Sequence, residues 1–165
     1  MAEVVDIVAT AEGSLVGRTR LQKTACLLTI SGLSDSFGFA YKHYGPFSQE
    51  LADAIEMATL FSNLNEEQRQ TQWGGTFSIF STAVQSATEK GSPRQAIIAI
   101  ANAADAIELE LATTAAFLAT QGFGDPWEET ASRKPEKVGN GRLERAKALY
   151  ARIRKIDTPV AFPAI

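Results

Sequence analysis

The sequence predicts a mixed α+β fold that is mostly helical, and three observations predict it. Apolar residues recur at helical spacing in several well-capped segments, whereas Phe37 to Tyr44 and Arg69 to Phe80 alternate with a period of two. A glycine pair, Gly74-Gly75, separates two strand-like runs in the second of these stretches, as a tight hairpin turn requires. The order of cationic helix start, aromatic strand, acidic helix and hairpin is that of a winged-helix-like N-terminal core, followed by a helical C-terminal half. With 165 residues the chain reads as a single domain over 1–165. Its winged-helix-like part covers 1–82, its helical part 92–156, and 157–165 reads as a loose tail.

The elements follow in order. Val4, Val5, Ile7, Val8 and Ala11 fit a first helix that Gly13 ends, and Leu15-Val16 is a brief strand or turn. Thr19 with Gln22 three residues on reads as a capping box, opening a helix to about Gly32 with Leu21, Ala25 and Leu28 inward. Phe37, Phe39, Tyr41 and His43 then fall on one face of a strand that Gly45-Pro46 stops. Ser48 caps the next helix, with Leu51, Ala54, Ile55, Ala58 and Phe61 on its inner face. Arg69–Trp73 and Thr76–Phe80 form the candidate wing. Ser92-Pro93 starts the longest helix, read as continuous to about Thr120. Asp125-Pro126-Trp127-Glu128 opens a short helix, and Asn140 begins a last one with Leu143, Ala146, Leu149, Tyr150 and Ile153 as its stripe. Pro159 and Pro163 mark the tail.

An apolar share of 45% with 21% charged residues is ordinary for a globular protein. Asn102, Asp105, Glu108 and Glu110 interrupt the most apolar stretch, so no membrane span is expected. The first six residues carry two acids and no base, unlike a secretory signal, and Cys26 is the one cysteine. A reducing, cytoplasmic location is the expectation. Net charge is −3 and unevenly spread: residues 48–92 carry −4, 93–130 carry −5, and 131–165 carry +6.

Candidate chemistry is sparse. Cations at Arg18, Arg20 and Lys23 sit at the positive end of a helix dipole, which points either to an anion held there or to internal ion pairs with the acidic middle. His43, the single histidine, reads as a packed strand residue, with neither Cys26 nor a nearby acid at metal-ligand spacing. Asp105, Glu108 and Glu110 read as an exposed acidic stripe, and Cys26 as a small core residue. No nucleophile elbow or phosphate loop is present in the sequence. Catalytic residues, metal and cofactor are therefore expected to be absent, and the chain is expected not to be an enzyme. The helix that would read DNA presents Gln49, Glu50, Asp53 and Glu56, whose carboxylates oppose a phosphate backbone.

Leu21-Gln22-Lys23 before an apolar helix, then an aromatic strand into Tyr44-Gly45-Pro46-Phe47-Ser48, resembles two related groups: the YwgA-like family of small bacterial proteins and the Panacea domain of SocA-type antitoxins. Trp127-Glu128 and Lys134-Pro135 match more loosely. The resemblance implies a bacterial or phage-borne protein that binds other proteins, with a toxin as candidate partner. It carries over Leu21, Gln22, Lys23, Gly45 and Pro46, with Lys23 as the exposed member and the others architectural.

The expected function is that of a non-enzymatic protein-binding module, an antitoxin by the resemblance. Arg18, Arg20 and Lys23 at one helix start and Glu50, Asp53 and Glu56 on the next helix are its expected contacts. The alternative is a winged-helix transcriptional regulator touching DNA through its wing or its basic last helix (Arg142, Arg145, Lys147, Arg152, Arg154). A homodimer is a further expectation, because the long helix is apolar on more than one face.

Overall fold

Two helices that are buried on nearly every side organise the fold. The computed structural model describes residues 1–61 and 63–165. In chain order the elements are α1 (Ala2–Thr10), β1 (Ser14–Val16), α2 (Arg18–Ile30), β2 (Ala40–Lys42), β3 (Gly45–Phe47), α3 (Gln49–Leu60), β4 (Asn65–Gln70), β5 (Thr76–Ser81), α4 (Pro93–Ala103), α5 (Ala106–Thr120), α6 (Pro126–Arg133) and α7 (Arg142–Arg154). The protein is thus mostly helical with small antiparallel sheets. Every residue from Leu21 to Leu28 in α2 and from Leu109 to Leu118 in α5 is buried. Burial on every side requires neighbours on every side. Accordingly α2 packs on α4 and α5, and α5 also meets α6 and α7. Along α5, the apolar surface behind the homodimer expectation is covered within the chain.

The three-stranded sheet runs β1-β5-β4, all antiparallel, with Leu15 opposite Phe80 and Glu66 opposite Phe80 on the other side. Leu15 and Phe80 are both buried. The Gly74-Gly75 turn closes the β4–β5 hairpin as expected, but β4 begins at Asn65, earlier than Arg69. The expected strand from Phe37 shrinks to β2, which pairs only with β3 in a two-stranded hairpin: Ala40 faces Phe47 and Lys42 faces Gly45. His43 therefore lies exposed in its turn and is not packed on a strand face.

Three further expectations are corrected. First, α2 starts at Arg18, so Thr19 is already helical; its N-cap is Gly17 at φ +99°, a conformation open to glycine, and there is no capping box. Second, the long helix is two. Ala104 leaves helical geometry at ψ 153°, and Asp105 restarts the chain by accepting from the Ile107 and Glu108 amides, 3.0 Å each. Third, the tail is anchored. The Val160 amide donates to the Ser31 carbonyl (2.9 Å), Phe162 is buried edge-on to Tyr150, and the Tyr150 hydroxyl donates to the Pro163 carbonyl (2.5 Å). A buried phenol needs such a partner, and the tail supplies it. The caps at Ser48, Ser92 and Asp125 form as the sequence predicts, each accepting from the amide three residues on.

Candidate partner-binding surface

Helix α3 is held by residues of α2 from the Leu-Gln-Lys element. The Gln22 side chain clasps Ser48 in both directions: its Nε2 donates to the Ser48 carbonyl and its Oε1 accepts from the Ser48 amide, 2.9 Å each. The Ser48 hydroxyl in turn accepts from Leu51 N at 3.2 Å. Beside it, Lys23 Nζ donates to the Pro46 carbonyl at 2.7 Å. Leu21, Gln22 and Lys23 are all buried. The structure brings Gln22 and Lys23 against the Pro46–Ser48 segment, and Lys23, expected to be exposed, is not. It is 2% accessible and cannot meet a partner. Burial pulls its ammonium pKa down to about 8, against the pull of the Glu110 charge in the other direction. Gly45, at φ +88°, packs so closely on α5 that a Cβ there would lie 2.5 Å from Thr114 Oγ1.

Below that hairpin lies a buried charge cluster that the sequence did not reveal. Glu110 Oε1 accepts from Lys134 Nζ (2.6 Å) and Lys137 Nζ (2.7 Å), and Lys137 also reaches Oε2 (2.9 Å). Glu110 is 4% and Lys134 2% exposed, so Glu110 belongs to no exposed acidic stripe. Its two companions are likewise committed: Asp105 caps α5, and Glu108 pairs with Arg145.

The cations expected to hold an anion are also engaged internally. Arg18 grips Glu66 with both Nε (2.9 Å) and Nη2 (2.7 Å), and Ser78 donates to the same carboxylate. Burial alone would raise the Glu66 pKa, but these hydrogen bonds outweigh it and hold it below the ordinary value. Arg20 reaches the C-terminal carbonyls of α4, Ala101 O at 2.7 Å and Ala104 O at 2.6 Å, as well as Val16 O. It satisfies carbonyls that the end of α4 leaves without an intrahelical partner. Cys26 is fully buried, which pushes its thiol up to about 12. No cluster of three or more metal-ligating side chains occurs among the described residues, and no helix among them is long and apolar enough to cross a membrane.

The outward face of α3 is exposed. The ladder Leu51, Ile55, Ala58 is buried, and Gln49, Glu50, Asp53 and Glu56 are exposed, as expected. Glu50 accepts from the Gly38 amide (2.8 Å) and Asp53 from the Gln49 side chain (2.9 Å), while Glu56 makes no ion pair or side-chain hydrogen bond among the described residues. The same helix also exposes Met57 (45%), Leu60 (76%) and, at its C-cap, Phe61 (62%). Phe61 was expected inside; the helix ends at Leu60 and its inner ladder stops at Ala58, so the ring turns outward. Met57 and Leu60 were legible as a signal, since the helical repeat sets them beside Gln49 and Asp53, out of phase with the core ladder. No protein-family model and no curated protein matches this chain.

Proposed function

We infer that this chain is a non-enzymatic bacterial or phage protein-binding module that engages a partner protein through the outward face of α3. The carrying observation is the exposure of Met57, Leu60 and Phe61 on the helix that also presents Glu56 and Asp53. Contiguous apolar side chains rimmed by charge are the usual composition of a protein contact surface. An antitoxin that neutralises a toxin by direct contact is the specific form proposed, in line with the resemblance carried by Leu21-Gln22-Lys23 and Gly45-Pro46. Those five residues act as architecture: they fix the β2–β3 hairpin and the start of α3.

The order α1-β1-α2-α3-β4-β5, with the β2–β3 hairpin inserted between α2 and α3, and the sheet order β1-β5-β4 support a winged-helix-like reading of the N-terminal part. In that reading α3 is the groove-facing helix, and its acidic face opposes phosphate. The buried Cys26 and the solvent-exposed His43 also favour a non-catalytic role. One observation favours DNA as the alternative partner: Arg152, Arg154 and Lys155 are exposed at the end of α7 with no ion pair among the described residues. The two readings separate in a gel shift at low salt, where a regulator binds duplex DNA and loses it steeply as salt rises. Co-expression with the product of the adjacent reading frame tests the protein reading. Relief of growth arrest by the wild type, lost in Leu60→Glu, supports it; equal relief by both, or none, rejects it.

A further inference from the structure

We propose that the segment seated on α3 is a basic amphipathic stretch of the partner protein, with apolar anchors on Leu60 and Phe61 and cations against Glu56 and Asp53. The proposal rests on the protein-binding reading of α3 and adds the chemistry of what binds. Two features of the surface argue for it beyond the helix itself. Just past the C-terminal end of α3, Asn63 Nδ2 approaches Met1 Sδ at 4.0 Å. There a shallow groove of about 330 Å³ opens between Val5 on α1 and Val84 in the stretch after β5, with Asn63 and Ala87 on its walls. Val84 is 47% exposed. The groove, walled by Asn63 two residues after Phe61, has room for a further anchor from a helix or extended segment.

Charge selects the occupant. Glu50, Asp53 and Glu56 stand on the same face as Met57 and Leu60, and the block 48–92 carries −4. A second copy docked α3 against α3 would bring three carboxylates of one chain against three of the other, so self-association is disfavoured there. Duplex nucleic acid is repelled for the same reason. A cationic segment meets both requirements, apolar contact at the C-terminal end of α3 and counter-charge along its N-terminal half. This is the common groove-binding pattern of an amphipathic element.

The test uses the intact chain and a synthetic helical peptide, leucine at i, i+3, i+4 and i+7 on one face and lysine on the other. A counterpart with glutamate for every lysine is the control. Titration followed by backbone amide NMR should move Gln49 to Phe61 together with Val5 and Val84, and the glutamate peptide should bind at least about tenfold more weakly. Leu60→Glu, an exposed change that leaves the unfolding temperature intact, should weaken the lysine peptide by about tenfold or more. Glu56→Lys should weaken it at low salt with a diminishing effect as salt rises. Equal binding of the two peptides, shifts centred on α7, or dimerisation of the protein through α3 overturns the proposal. Its failure is distinguishable from that of the functional reading: if the peptides behave alike yet Leu60→Glu abolishes relief by the native partner, α3 binds a protein of other chemistry.

Discussion

Replacing Glu110 by leucine removes the one carboxylate that Lys134 and Lys137 share, and the structure sets the expected scale. Lys134 is 2% exposed, and its ammonium keeps no other acid among the described residues once Oε1 is gone. Breaking a buried pair from one side leaves an uncompensated charge and costs about 3–5 kcal/mol. For a chain of this length that lowers the unfolding temperature by roughly 6–20 °C. Lys134→Met is expected to be milder, about 1–3 kcal/mol, because Glu110 keeps Lys137 at 2.7 and 2.9 Å. In the double variant Lys137, 22% exposed at its side chain, can turn to water. The pair of substitutions should therefore be clearly less damaging than the sum of the two, with a coupling of about 2 kcal/mol. Urea denaturation of the four proteins measures it. A loss below about 1 kcal/mol for Glu110→Leu, or strict additivity, would refute the reasoning.

Four further outcomes follow from the same structure. Lys23, lowered to about 8 from 10.5 in the unfolded chain, binds fewer protons when folded across that window, so its contribution to stability should rise between about 8 and 10.5 by at most a few kcal/mol. Cys26, raised from 9.0 to about 12, holds its proton longer when folded, so its contribution should fall above about 9 and oppose that rise; Lys23→Met should abolish the rise and Cys26→Ala should blunt the fall in denaturation titrations. Gly45→Ala should lose about 2–5 kcal/mol from the clash with Thr114 and the positive φ, with Thr114→Ala restoring only part, because the backbone strain remains; thermal melts decide it. Phe162→Ala should cost about 3 kcal/mol, measured by urea unfolding, since the ring is buried against Tyr150; a truly loose tail would lose nothing.

What the sequence revealed and what it hid divide along the reach of the interactions. Caps at Ser48, Ser92 and Asp125 act over three residues and were readable, as was the Gly74-Gly75 turn. The meeting of Leu21-Gln22-Lys23 with Gly45-Pro46 was legible as a spacing, but its meaning was not. Lys23 looks like a surface cation until the Pro46 carbonyl, 23 residues on, is seen to receive it. Glu110 and Lys134 are 24 residues apart, and no local rule couples them. The break at Ala104 escaped notice because Asp105, read as an acid on a continuous helix, is a cap in a stretch without glycine or proline. Tail docking depends on Tyr150 and Ser31, which lie far from Phe162 in the chain. On the candidate surface the acids of α3 were found directly. Phe61 was hidden because an apolar residue in register with the core ladder reads as inward until the helix end is fixed.

The most direct measurement is site-specific photocrosslinking in living cells, with a photoreactive amino acid at position 60 on α3 or at position 152 on α7. The account expects a discrete protein adduct from position 60, reduced by Glu56→Lys, and none from position 152. An adduct to nucleic acid, or protein adducts from position 152 alone, would contradict it.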